Sequence, residues 1–295
     1  MQGEMKESGS EAHPRMEKIS YRLGMAQVLV EGGDIGGNLA RGIAMVRSAS
    51  DQGCGIVVLP ECFDIGWTFP AARELAQPIP GKQSDLICRA AQESGIYVVA
   101  GLTERAGERM YNAAVLVAPD GHIILKHRKI NELTIAQDLY ATGNRLSVVE
   151  TPLGTIGVNI CADNFPNSLA LAHAQARMGC QILLSPSCWA VDADHDNRRE
   201  PYGGLWREAY TTVAKLYGLT VVGVSNVGWL HAGVWKGRKC IGCSMAVGPE
   251  GRLLAQAPYG DAAESLTVVE VEISGQPVTG TAMADMLSAK GYSGP

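Results

Sequence analysis

Nowhere in the 295 residues do eighteen apolar residues run together, so no membrane-spanning helix is expected. The chain also lacks a basic stripe. Its 25 Lys and Arg face 30 Asp and Glu, for a net charge of −5 spread without long runs of one sign, and that argues against a nucleic-acid partner. Neither a phosphate-binding P-loop nor a G-x-G-x-x-G motif follows a strand, so no nucleotide or nicotinamide cofactor is expected. No Pro/Ser-rich linker, composition shift or fixed-period repeat divides the chain. The opening residues, "MQGEMKESGSEAHPRMEKIS", lack the apolar core of a signal peptide, and residues 1–18 read as a flexible leader.

What is present is a soluble composition, 46% hydrophobic and 19% charged, sufficient for a sizeable core. The eight cysteines, at 54, 62, 88, 161, 180, 188, 240 and 243, lie scattered, several in apolar runs. Reduced thiols and a cytoplasmic location follow as expectations. Cys240 and Cys243 form a single C-x-x-C with no second pair and no histidines at ligand spacing. They are read as part of a strand in "KCIGCSMAVGPEGRLL", and no metal site is expected.

Apolar periodicity predicts strands at 21–30, 55–61 and 96–104, with helices over about 38–53 and 82–94. "YNAAVLVAPDGHIILKHRK" (111–129) reads as a hairpin turning at Pro119, Asp120 and Gly121. A second hairpin turns near Pro152–Gly154, and a long helix is expected over about 167–178. "CQILLSPS" reads as a buried strand, "GLWREAYTTVAKLYG" as a helix and "LTVVGVSNVG" as a strand. A last hairpin turns at "GPEG" (248–251), before a final strand in "ESLTVVEVEI". Amphipathic helices alternating with apolar runs, interrupted by many hairpins, indicate one α/β domain with two packed sheets.

Three residues end apolar runs where a plain core would not need them. Glu61 closes "GIVVLPE", Lys129 closes "IILKHRK" and Cys161 closes "TIGVNIC". Ligands of open α/β sheets bind at the C-terminal ends of strands. A carboxylate there can take a thiol proton and return it to a leaving amine. An ammonium there favours a thiolate and an anionic tetrahedral intermediate. Each residue also has an ordinary reading: Glu61 as a loop cap, Lys129 as one solvated member of "KHRK", Cys161 as core packing. Spacing by itself does not bring the three together.

"VLPE" (58–61), the 111–129 segment and "GVNICADNFP" (157–166), in this order, resemble the carbon–nitrogen hydrolase (nitrilase) superfamily. The likeness runs from about Met25 to Ile273 and includes "VSNVG" (224–228) and "GCSMAVGPEG" (242–251). The resemblance implies a four-layer α-β-β-α sandwich that forms homodimers or larger homo-oligomers. It places the hydrolase domain at 19–275, with 276–295 as a C-terminal tail at an oligomer interface. It implies Glu61 as general base and acid, Lys129 as electrostatic stabiliser and Cys161 as nucleophile. The N-terminus of the helix after Cys161 is expected to help hold the thiolate. The Ala162 N–H is expected to join Lys129 around the oxyanion, and Asn112 to help position the substrate.

Many members carry a second glutamate where this chain has Ala136. Of the nearest acids, Glu132 and Asp138, Glu132 is the candidate replacement, against the alternative of an exposed loop glutamate. "C-A-D" at 161–163 leans toward an amide or ureido substrate, with a nitrile as the alternative and a non-catalytic binding protein as a third reading. Cys188, Trp189 and Asp163 are expected at the substrate pocket. His195, in "DADHDN", has a metal-like setting without convincing ligand spacing. The loop "WLHAGVWKG" (229–237) is assigned to the entrance or an interface. Arg198 and Arg199 are candidates for gripping a substrate carboxylate, against a solvated surface. His127 is read as a structural hydrogen-bond partner.

Overall fold

A computed structural model describes residues 18–273 and 278–294. The leader, apart from Lys18, therefore lies outside the described residues. From β1 (Ile19–Gln27) the chain enters α1 (Ile35–Asp51), β2 (Cys54–Val58), the single turn α2 (Ala72–Leu75), α3 (Lys82–Ser94) and β3 (Tyr97–Ala106). The first hairpin is β4 (Arg109–Val117) and β5 (Ile123–Arg128); the second is β6 (Val148–Thr151) and β7 (Gly154–Val158). Then come α4 (Ala170–Arg177), β8 (Ile182–Ser187), β9 (Ala190–Val191), α5 (Gly204–Tyr217), β10 (Thr220–Ser225) and β11 (Val227–Trp229). The chain closes with β12 (Lys239–Ile241), β13 (Met245–Val247), β14 (Leu253–Gln256), β15 (Ser265–Ile273) and α6 (Gly280–Ala289).

Two six-stranded sheets result, ordered β15-β1-β2-β3-β4-β5 and β14-β13-β10-β8-β7-β6. Alternation along each strand assigns its two faces. Leu23, Met25, Ile56, Val58, Ala114 and Leu116 of the first sheet share one core with Ile156, Val158, Ile182, Leu184, Val222 and Val224 of the second. The intervening Val57, Val98, Ala100, Val115 and Val117 turn outward, onto Leu39 and Val46 of α1 and Ile87 of α3. On the other side, Trp206, Tyr210 and Val213 of α5 and Ala172 and Ala176 of α4 cover the second sheet. The four layers are helix, sheet, sheet, helix. No helix among the described residues is long and apolar enough to cross a membrane.

The expected elements depart from the structure in three places. The long helix after Cys161 starts late: a 3-10 turn at Pro166–Ser168 precedes α4, which ends where expected, with Gly179 at φ +97° just beyond its C-cap. The segment read as one strand through Cys240 and Cys243 is split into β12 and β13. Gly242 (φ +60°) and Cys243 (φ +61°) are left-handed there and turn the chain out of the small β11-β12-β9 sheet into the large one. "LTVVGVSNVG" is likewise divided between two sheets, as β10 and β11. The described part of the C-terminal tail is a helix folded on its own chain. Its Met283 and Leu287 are buried, Lys290 Nζ donates to the carbonyls of Lys215 (2.7 Å) and Leu216 (2.6 Å) at the end of α5, and the Tyr292 hydroxyl meets His173 Nε2 at 3.1 Å.

Candidate active site

Strands β2, β5, β7 and β8 deliver their C-terminal ends to one rim of the sandwich. Glu61 follows β2 by three residues, Cys161 follows β7 by three, and Lys129 follows β5 directly. The Glu61 N–H donates to the Ser187 carbonyl at the end of β8 (3.2 Å), which ties the rims of the two sheets together. Glu61 and Lys129 are each 1% exposed, Cys161 8%. The structure thus brings together three residues that sequence spacing left apart.

Glu61 Oε1 accepts from Lys129 Nζ at 2.6 Å and from Asn112 Nδ2 at 2.6 Å. Asn112 also ties the lysine backbone, its carbonyl accepting from the Lys129 N–H at 2.9 Å. Each residue of "KHRK" has its own partner, and alternation sorts them. Lys126 and Arg128, on one face of β5, grip Glu104 (2.7 and 2.6 Å), whereas His127 and Lys129, on the other, reach Asp163 and Glu61. The solvated reading of Lys129 therefore does not hold. Burial alone disfavours its charge, yet the neighbouring Glu61 and Glu132 carboxylates outweigh burial and raise its pKa well above the ordinary lysine value.

Glu132 is buried and stands 3.9 Å from Lys129 Nζ, and neither of its oxygens makes a hydrogen bond of normal geometry. Burial pushes its pKa up to about 8, with Lys129 pulling the other way. It is not an exposed loop glutamate. Ala136 lies buried in a 3-10 turn, where its methyl joins a small apolar cluster with Tyr140 and Trp67.

Cys161 has φ +44°, a left-handed backbone rare for a side chain with a Cβ, and Cys62, next to Glu61, has the same value. Strain of this kind persists where surroundings over-determine it. Here the Cys161 N–H donates to Ser185 Oγ (3.1 Å), which also accepts from Asn164 Nδ2 (3.0 Å). Asp163 completes the clamp, accepting from the N–H groups of Ile130 (3.0 Å), Asn131 (2.7 Å) and Ile160 (3.0 Å) and meeting His127 Nε2 at 2.8 Å. Burial would raise its pKa; the His127 contact and the backbone donors more than reverse that, so it stays a carboxylate below the usual range.

Two expectations are corrected. Asp163 is not in the substrate pocket, because its oxygens are taken up by the turn that carries the cysteine. The helix N-terminus expected behind Cys161 is a four-residue 3-10 turn, Cys161–Asn164, too short to add a useful dipole. The thiol is instead pushed up, first by burial and then by the Glu61 charge, against the pull of Lys129 and the Cys188 N–H.

Above the sulfur lies a cavity of about 460 Å³, lined among others by Cys161, Cys188, Trp189 and Leu133. Cys188 and Trp189, both singled out in the sequence, are on this lining. Phe165, Tyr202, Trp206 and Trp235 were not assigned to it, though the 229–237 loop was singled out. Trp206 sits on the apolar face of α5, where periodicity indicates only core. Arg198 and Arg199 do not line the cavity; the Arg199 side chain is 90% exposed and pairs with Asp196. His195 does line it, but no cluster of three or more His, Cys, Asp or Glu able to hold a metal occurs among the described residues. The C-x-x-C does not act as a pair: Cys240 Sγ lies 3.5 Å from Cys188 Sγ, while Cys243 takes a hydrogen bond from Gln256. All eight cysteines are free thiols.

The carbon-nitrogen hydrolase family model matches residues 22–276, most of the chain. The chain belongs to the carbon-nitrogen hydrolase family. Among curated relatives, this carbon-nitrogen hydrolase is 35% identical to the omega-amidase NIT2 of Danio rerio over 162 residues, 52% of this chain and 58% of that protein. It thus spans little more than half the length of that relative. It is 29% identical to a nitrilase of Pyrococcus abyssi over 264 residues, 88% of this chain and 90% of the other. A carbon-nitrogen hydrolase from Helicobacter pylori superimposes with a TM-score of 0.77 at 20% identity, covering 92% and 93% of the two chains. That likeness is one of fold.

Proposed function

We propose that the chain hydrolyses a non-peptide C–N bond of a small amide or N-carbamoyl compound through a thioester on Cys161. One observation carries the reading: a strained cysteine on a cavity wall, beside a buried Glu61–Lys129 pair 2.6 Å apart. The raised thiol pKa means that its proton leaves as attack occurs, which calls for an adjacent base. Glu61 takes that proton while Sγ bonds to the carbonyl carbon. The carbonyl electron pair moves to oxygen, where Lys129 Nζ and the Ala162 N–H balance the charge. Collapse breaks the C–N bond, and Glu61 returns the proton to the departing ammonia or amine. Water then attacks the thioester, giving its proton to Glu61. The C–S bond breaks, the acid leaves, and the thiol is restored. Asn112 holds Glu61 in place, and Glu132, 3.9 Å from the lysine Nζ, serves as a second acid.

Family membership and the omega-amidase relatives support the amide branch. The nitrilase of Pyrococcus abyssi, aligned over 88% of this chain, keeps nitriles as the second reading. Assembly into a homodimer or larger homo-oligomer belongs to the same proposal and is read by light scattering.

The test is ammonia release from aliphatic amides, aromatic amides, N-carbamoyl amino acids and nitriles, with Cys161→Ala as the blank. Ammonia from an amide or ureido compound, absent in the variant, is expected, with a Tm within about 3 °C of the parent because one buried sulfur is lost. Hydroxylamine added to the same assay should give a hydroxamate, the mark of a thioester. Full activity in Cys161→Ala overturns the mechanism, and ammonia from nitriles alone transfers the site to the second reading.

A further inference from the structure

The cavity above Cys161 has an aromatic wall and, among the described residues that line it, no arginine or lysine. Its aromatic groups are held in place by one another. Trp189 stacks on Trp206 with centroids 5.0 Å apart and planes at 20°, and Phe165 lies 5.1 Å from the Trp206 ring. Trp206 Nε1 donates to the Tyr202 hydroxyl at 3.0 Å. Trp235, also on the lining, is backed by Trp67, with ring centroids 4.4 Å apart.

The one carboxylate on this wall is Glu200, which remains exposed to solvent. Of the arginines in the flanking loops, Arg199 pairs with Asp196 at 3.5 Å, and Arg238 pairs with Asp192 at 2.9 Å while lying over the Trp235 ring. Lys129 is held by Glu61 at 2.6 Å and is not on the lining. Two polar atoms on the lining, Trp189 Nε1 and His195 Nε2, are buried without a hydrogen-bond partner, which suits an uncharged polar group on a ligand.

An acyl chain ending in a carboxylate would give up its hydration here without meeting a cation, and would face Glu200. A flat or branched apolar chain would bury its surface against the indoles at no such cost. We infer that the cavity selects amides whose acyl chain is uncharged and apolar, aromatic above all, and discriminates against those ending in a carboxylate. The assignment of these compounds as substrates rests on the Cys161 hydrolase reading. The selectivity belongs to the cavity.

The experiment pairs 3-phenylpropionamide with succinamate, an amide of similar reach that ends in a carboxylate. Two readouts are taken: kcat/KM for ammonia release by the parent, and calorimetric binding to the Cys161→Ala protein. The aromatic amide is expected to be preferred about thirtyfold or more in both, the scale of one desolvated, unpaired charge against one buried ring. Glu200→Lys should narrow the gap about fivefold by raising the succinamate value, since two units of charge change at an exposed position. Trp235→Ala, only partly buried and therefore safer for folding than Trp206→Ala, should lower kcat/KM for the aromatic amide about tenfold while acetamide loses much less.

Turnover in which succinamate equals or exceeds the aromatic amide overturns the selectivity and leaves the hydrolase standing. Silence in the ammonia assay with retained preference in binding does the reverse: it sinks the hydrolase reading and supports the cavity. Equal or absent binding of the two amides overturns the selectivity whatever the assay shows.

Discussion

At the scale of single residues, Glu132 is the group whose setting has the clearest consequence for pH. A glutamate in an unfolded chain titrates near 4.3, and burial raises this one to about 8. Between those values the folded chain keeps a proton that the unfolded chain has lost. Its stabilising contribution is therefore full below about pH 4 and falls as pH rises through 8, when a second buried carboxylate joins Glu61 around one ammonium. Glu132→Gln keeps the shape without the ionisation. The melting temperature of the variant relative to the parent should rise between pH 5 and pH 8.5, by on the order of 5 °C. Parallel melting curves would mean that Glu132 ionises without cost. Cys161 shows the complementary point. Its raised thiol pKa and left-handed backbone are both held by neighbours, so its chemistry depends on Glu61 and its geometry on Asp163 and Ser185.

At the scale of elements, the site depends on how closely β3 passes the loop that follows β2. Gly101, on β3, donates its N–H to the Pro60 carbonyl at 3.1 Å. A Cβ there would press on that carbonyl and stand 2.6 Å from the Glu61 Cα. Backbone has no rotamer to yield with, so Gly101→Ala must displace Glu61 or open the β2–β3 pairing. The expected result is a loss of about a hundredfold in kcat with a stability cost of about 1–3 kcal/mol, read from turnover beside a denaturant melt. Activity near the parent level would show that Glu61 tolerates movement of its loop. The same geometry explains why the "LPE" corner reads so plainly in sequence. Strand end, proline and carboxylate are consecutive, whereas the glycine that makes room for them lies forty residues on.

For the whole molecule, closure comes from the two ends of the domain. β15 pairs antiparallel with β1 from Ile19↔Ile273 to Gln27↔Ser265, along the full length of both strands. After it, α6 returns to α4 and α5 and buries Met283 and Leu287. Those two side chains contribute about 3–6 kcal/mol together by area. Truncation before Val278 should therefore lower the melting temperature by roughly 10 °C without moving the catalytic strands. A truncated chain with unchanged melting would show that α6 is not part of the folded unit.

Strands, turns and the three strand-end residues were legible in the sequence because each depends on neighbours in the chain. Apolar runs bounded by turn residues mark strands buried between layers, and Pro119, Asp120 and Gly121 mark one such turn. Glu61, Lys129 and Cys161 stand out as a carboxylate, an ammonium and a thiol closing apolar runs, and the ordered motifs around them carry the family. What needed the tertiary structure was everything set by residues distant in sequence. Glu132 reads equally as a second acid or as an exposed loop glutamate until the fold buries it beside Lys129. Asp163 reads as a pocket residue until His127 and three backbone N–H groups occupy it. The cavity is walled by aromatics from separate segments, near residues 165, 189, 206 and 235. No local pattern joins these, because which indole faces which is decided by the packing of α5 and two loops over the ends of the second sheet.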